Sequence, residues 1–176
     1  MPDVDIEKCC ITHYPADVLG RAAKPIEKID DNIHQLVKKM TEIMFEYKGI
    51  GLAGPQAGVG LQIFIISLTG KAEDVKVYIN PEVKPFGELE SVEEGCLSVP
   101  GVSVKIRRYK RCTVTATDLQ GNEFTEEAQG LYARCLQHEN DHLQGTTIAT
   151  RMGPASRIVH RKQLKKLTDK YKAAKE

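Results

Sequence analysis

His138-Glu139-Asn140-Asp141-His142 sets two histidines four residues apart. On an α-helix that spacing puts both imidazoles on one face, about one turn from each other, where they can reach a single metal ion. Glu139 stands beside the first histidine and can reach a water on that ion. The pattern is H-E-x-x-H, whose chemistry is metal-assisted attack of water on a carbonyl. A buried helix is expected from about Gln129 to Leu143, with Leu131, Cys135, His138 and His142 on a shared face. Strands precede this helix. Together they predict an α+β fold, with small mixed or antiparallel β-sheets wrapped around a central metal-binding helix.

Two histidines are an incomplete site, because a catalytic centre of this type usually has three protein ligands and one open position. Downstream the chain offers only His160, in a basic segment, and no H-x-x-G-x-x-H extension follows His142. A metzincin protease is therefore disfavoured. Upstream, Glu94-Gly95-Cys96-Leu97-Ser98 offers a thiolate 42 residues before His138. Cysteine is more often a small buried hydrophobe, and Cys9, Cys10, Cys112 and Cys135 are read that way. Cys96 differs because Gly95 precedes it, and glycine lets the backbone approach an ion closely.

The rest of the chain reads as one domain over residues 1–176, with no internal repeat or long linker. Asp30 or Asp31 caps a long N-terminal helix running to about Lys48. Its stripe is Ile33, Leu36, Val37, Met40, Ile43, Met44 and Tyr47, and Gly49 stops it. Ile63–Ile66 and Val75–Ile79 are expected strands, the second closed by Asn80-Pro81. Cys112–Thr117 alternates as a half-buried strand does, and Glu123–Glu127 is its return. A C-terminal helix starts near Pro154, with Leu164, Leu167 and Tyr171 as its stripe. Gly49-Ile50-Gly51-Leu52-Ala53-Gly54-Pro55-Gln56 is glycine-rich, but it follows a helix and lacks a Lys-Ser/Thr, so a phosphate-binding loop is a poor reading.

Three segments in order, Gly49–Gln56, Glu94–Ser98 and Gln137–His142, resemble the motifs of the peptide deformylases. Leu19–Ile29, Ile79-Asn80-Pro81 and Asp118–Asn122 extend the likeness to roughly residues 10–150. The resemblance implies Cys96, His138 and His142 as metal ligands and Glu139 as general base. It implies Gln56 and the backbone N–H of Leu97 as donors to the carbonyl oxygen. Ile50, Gly51 and Gly95 would hold the substrate backbone, and Arg134 and Cys135 would wall a methionine pocket. The implied substrate is an N-formylmethionyl nascent peptide, cleaved to formate and a free N-terminus. The implied cofactor is one divalent ion per chain, ferrous iron in the cell, with zinc, nickel or cobalt also suited to these ligands. Gly54 stands where alanine is usual and is expected to loosen the loop holding Gln56. Ser103 stands where some relatives carry arginine. A metallopeptidase of the H-E-x-x-H type and a structural metal module are the alternative readings.

Composition fits this picture. The 176 residues are 41% apolar and 28% charged, ordinary for a soluble globular protein. No apolar stretch approaches the roughly 20 residues of a membrane span. The start, Met1-Pro2-Asp3-Val4-Asp5, lacks the order of a signal or transit peptide. Five cysteines without a secretion signal point to a reducing compartment. The expectation is a cytoplasmic, bacterial-type monomer, although an organellar protein trimmed of its targeting segment would look the same. Charge is uneven: residues 157–176 carry eight Lys or Arg against two Asp or Glu, leaving 17 basic and 22 acidic residues elsewhere. That basic segment is a candidate contact for the ribosome.

Overall fold

The computed structural model describes residues 4–175. Helix α1 (Asp31–Glu46) starts where Asp30 accepts a hydrogen bond from the Ile33 N–H, satisfying a donor that a helix start leaves unpaired. Ile33, Leu36, Val37, Met40, Ile43 and Met44 form its buried stripe, as their spacing predicts. Tyr47 lies just past the last helical residue and is exposed. The turn out of α1 is made by Lys48 rather than Gly49. Lys48 takes the left-handed conformation at φ 54, and the N–H groups of Lys48 and Gly49 bond back to the carbonyls of Phe45 and Met44. Gly49 serves a different need: a Cβ there would lie 2.8 Å from Leu97 Cδ1.

Five strands follow in spatial order of sequence: β1 (Gly51–Ala53), β2 (Ile63–Ile66), β3 (Lys76–Gly95), β4 (Ser103–Thr117) and β5 (Glu123–Gln129). All pair antiparallel. The parallel element of the expected sheets shrinks, among the described residues, to an isolated bridge between Lys24 and Leu61. Asn80-Pro81 does not close its strand. A register shift between Ile79 and Glu82 absorbs the pair as a bulge, so proline's missing donor falls where the ladder is already interrupted. Asn80 sits there at φ 49, and its side chain bonds both the N–H and the C=O of Ile26, at 2.8 and 2.7 Å. The strand then runs on to Gly95, which delivers Cys96.

The sheet is covered on both faces at β2. Ile63 and Ile65 join the core with Leu36, Met40 and Met44 of α1. Phe64 and Ile66 join a second core with Tyr78, Val114, Ala133 and Leu136. Burial on two faces explains why Ile-Phe-Ile-Ile reads as an unbroken apolar run. Helix α2 (Gly130–Leu143) supplies that second core and touches all five strands. The short α3 (Ile148–Arg151) and the long α4 (Pro154–Ala173) close a third cluster, in which Leu164 and Leu167 pack with Val99, Val102, Val104 and Ile106. No helix among the described residues is long and apolar enough to cross a membrane.

Candidate active site

α2 brings His138 and His142 to the point where β3 ends and Cys96 begins the turn into β4. His142 Nε2 lies 3.3 Å from Cys96 Sγ and 3.3 Å from His138 Nε2. All three donor atoms fall within 4.8 Å of one another. Tetrahedral coordination with bonds of about 2.0–2.3 Å would put neighbouring donors roughly 3.4–3.6 Å apart, so this set can hold a cation with small adjustment. A closed structural site would take a fourth protein donor, and the group contains three. His160, on α4, lies outside it.

Behind the ligands lies a buried charge network. Glu94 Oε2 is 2.9 Å from His138 Nδ1. Arg108, 2% exposed, donates to both Glu94 oxygens at 2.8 and 2.9 Å and to Asp141 Oδ2 at 2.6 Å. Arg151 donates to Asp141 Oδ1 at 2.6 Å. Burial alone would raise the Glu94 pKa, but hydrogen bonds from Arg108 and His138 outweigh it and hold the carboxyl at about 2. A permanently charged Glu94 fixes the proton of His138 on Nδ1, which turns the Nε2 lone pair toward the site. Burial opposes charging His138, yet its hydrogen bonds with Cys96 and Glu94 favour positive charge there and carry its pKa well above the usual value, and a cation held at Nε2 would take the place of the second proton. Burial, then the charges of His138 and Arg108, push His142 well below it.

Glu139 is 4% exposed, and burial pushes its pKa up to about 7, against the opposing pull of His138 and Arg108. Its Oε2 has no hydrogen-bond partner. A buried oxygen left free beside three metal donors is the shape of a base waiting for a water. Gly51 makes room for it: a Cβ there would lie 2.4 Å from Glu139 Oε1. Gln56 is buried, accepts from the Ala53 N–H at 2.8 Å, and keeps its Nε2 3.5 Å from Cys96 Sγ. The loop around it is not loosened at Gly54. A Cβ at that position would come within 2.7 Å of the Leu61 carbonyl and 2.9 Å of the Val59 carbonyl, so glycine lets two backbone segments close together.

A cleft of about 480 Å³ opens over these groups. Ile50, Gly51, Gln56, Gly95, Cys96, Leu97, Arg134, Cys135, His138 and Glu139 all line it, while His142 lies beneath its floor, 1% exposed. Burial, then the charge of Glu139, pushes the Cys135 thiol up to about 12, so it forms wall rather than ligand. Ser103 is not part of the lining; it donates to Oε1 of Glu93, which is, at 3.0 Å.

Sequence reasoning gave no role to Arg108, Asp141 or Gln137, nor to the side chain of Glu94. For Arg108 a signal existed. Val104, Ile106 and Arg108 occupy alternate, inward positions of β4, so the period of two already buries a cation that must find carboxylates. Gln137 is marked as the first residue of the third motif, with nothing to say what it would bond. It clamps α2 to β4 by accepting from the Tyr109 N–H at 3.1 Å and donating to the Tyr109 carbonyl at 2.8 Å.

A helix-borne pair of imidazoles, a thiolate from a strand end and a carboxylate with a free oxygen belong to the chemistry of metal-dependent hydrolases. Residues 8–157 match the family model of polypeptide deformylase. The peptide deformylase of Pseudomonas aeruginosa is 40% identical over 157 residues, covering 89% of this chain and 94% of the relative. That of a Thermotoga species is 42% identical over 148 residues, covering 84% and 88%. Among solved structures, the peptide deformylase of Plasmodium falciparum superposes with a TM-score of 0.89 at 33% identity, covering 93% of this chain and 97% of the other. A plant peptide deformylase gives 0.88 at 33% identity, covering 94% and 92%. The chain belongs to the polypeptide deformylase family, whose members are metal-dependent hydrolases.

Proposed function

We propose that this chain removes the N-formyl group from the N-terminal methionine of nascent polypeptides, releasing formate. The observation that carries the reading is the free, buried oxygen of Glu139 next to the Cys96, His138 and His142 donors. A divalent ion, when bound, supplies the Lewis acidity that makes water a nucleophile near neutral pH. Glu139 takes a proton from the water as its oxygen joins the formyl carbon. The C–N bond then breaks, and Glu139 gives the proton to the leaving amine. Negative charge developing on the formyl oxygen is met by Gln56 Nε2 and the Leu97 N–H. Ile50, Gly51 and Gly95 supply backbone for an extended peptide laid between the cleft walls, and Arg134 and Cys135 wall the methionine side chain.

Ferrous iron is the ion proposed in the cell, with zinc, nickel and cobalt able to replace it on one thiolate and two imidazoles. The protein works as a cytoplasmic monomer and meets its substrate at the ribosome, through the basic face of α4. The test is formate release from formyl-Met-Ala-Ser by anaerobically purified protein, with metal analysis of the same sample. Formate with about one ion per chain supports the reading. Cleavage of internal bonds in unformylated peptides would replace it with a peptidase. The iron form is expected to lose activity in air faster than it loses fold, because thiolate and ferrous ion are both oxidisable. A nickel form should not.

A further inference from the structure

Two cations line the cleft without an acidic partner among the described residues, Lys48 and Arg134. The acids nearby are differently placed. Glu94 is paired with Arg108, and Glu93 accepts a hydrogen bond from Ser103. Arg134 Nε is buried with no hydrogen-bond partner at all. Arg134 also lines the cleft, and a guanidinium that borders a cavity with no counter-charge favours an anion there.

Lys48 adds an independent observation. It occupies the left-handed position that ends α1, at φ 54, where glycine is the residue that fits without strain. An L side chain held there lines the cleft with a cationic residue that has no acidic partner among the described residues. Strain kept at a cleft residue is a pointer to use, because a glycine would serve the helix end better.

We propose that Lys48 and Arg134 select formylated substrates with an acidic side chain in one of the two residues after methionine. This rests on the deformylase reading. An extended peptide points successive side chains to opposite sides, so the two positions meet different walls and both have to be tested. A carboxylate there is attracted by both cations, whereas a lysine is repelled by both.

The experiment measures kcat/KM for formate release from formyl-Met-X-Y peptides. Their C-termini are amidated so that no α-carboxylate masks the effect, and Asp, Ala or Lys is placed at X or Y. At low salt the wild-type protein should prefer Asp over Lys by about fivefold at one position at least, the scale expected of partly exposed ion pairs. That ratio should shrink as salt is added. Lys48→Asn keeps a residue tolerant of left-handed backbone, and Arg134→Gln keeps length and polarity. The Asp-to-Lys ratio, which is insensitive to the absolute rate, should fall in each and approach one in the double variant. Lys48→Gly should lower the ratio while raising the thermal midpoint, because it removes strain and charge together. An Asp-to-Lys ratio near one in the wild type overturns the proposal, as does a ratio unchanged in the double variant. No formate from any formylated peptide, in any metal form, would instead sink the deformylase reading beneath it.

Discussion

α2 and α4 lie against the same body and use their surfaces in opposite ways. α2 has 14 residues and buries Gln137, Glu139, Asp141 and His142 beside Ala133, Cys135, Leu136 and Leu143. α4 has 20 residues and buries Leu164 and Leu167. A polar group can stay buried only if it is paired, and the partners of α2 come from elsewhere: Arg108 and the Tyr109 backbone on β4, Glu94 on β3, Arg151 on α3. Three atoms of α2 are unpaired exceptions, Arg134 Nε, His142 Nδ1 and Glu139 Oε2, and the last belongs to the proposed base. α4 makes few such demands, since its charges face water. α2 is thus specified by the whole fold, and α4 by its own stripe.

The largest expected effect tests Glu139. Glu139→Gln keeps the shape of the side chain but cannot accept a proton. Turnover should fall by ~10²–10⁴-fold, with metal content and thermal midpoint close to wild type. Near-normal turnover would remove Glu139 from the role of base and make its free oxygen an accident of packing.

Arg108→Met tests the paired groups. It leaves the Glu94 and Asp141 carboxylates without their shared cation. Removing one partner of a buried ion pair costs about 3–5 kcal/mol, to be read from urea unfolding of the metal-free protein. Metal affinity should weaken by roughly 10–100-fold, because Glu94 would no longer be held against His138. A loss under 1 kcal/mol would show that α2 does not depend on this network and would blunt the contrast with α4.

The same contrast explains what could be read from the amino-acid sequence. α1 and α4 were legible because each is written in a local stripe: Ile33 to Met44 in one, Leu164 and Leu167 in the other. Part of the cleft lining was legible, Gly51, Gln56, Cys96, His138 and Glu139 among it, because their types and spacing carry chemistry and match the deformylase motifs, whereas Lys48, Glu93 and Val102 carried no such mark. Long-range pairings were not. Nothing beside Asn80-Pro81 announces that Asn80 will bond Ile26, 54 residues away, and so carry β3 past the proline. The Arg108–Asp141 pair spans 33 residues and depends on how β4 and α2 face each other. At the end of α1, Gly49 drew attention to itself, while the left-handed residue was Lys48, one position earlier.

A smaller effect is expected at the start of α2, where Tyr132 joins Tyr78 and Lys76 on Glu126. Burial raises the Glu126 pKa, but hydrogen bonds from Tyr132, Lys76 and Tyr78 outweigh it and leave the carboxyl below its usual value. A depressed folded-state pKa means stability present above the unfolded value and lost as pH falls through the folded one. Glu126→Gln should therefore cost about 1–2 kcal/mol at pH 7. The gap from wild type should begin to narrow as pH falls past the ordinary glutamate value of about 4.3 and close below the depressed folded value, where both side chains are neutral. A gap that persists there would assign the loss to packing instead of charge.

The smallest effect on turnover belongs to α4. Arg161, Lys162, Lys165 and Lys166 are all exposed, and among the described residues Lys165 is the one of these that pairs with an acid, Asp169 at 2.5 Å. Changing Lys162, Lys165 and Lys166 to Glu leaves Leu164 and Leu167 in their cluster with Val102 and Val104. Exposed charges contribute little to stability, at about 0–1 kcal/mol each, so formate release from short peptides should stay within about twofold of wild type. Co-sedimentation with ribosomes is where the change should show. A basic face attracts a phosphate backbone through charge, and that attraction weakens with salt. The triple variant should bind less at low salt and lose the steep salt dependence of the wild type. Ending the chain before Lys162 is the poorer test, since it deletes Leu164 and Leu167 and opens the third core along with the charge. Equal co-sedimentation of wild type and triple variant across the salt series would leave α4 as a solvated face whose buried residues close the core behind β4.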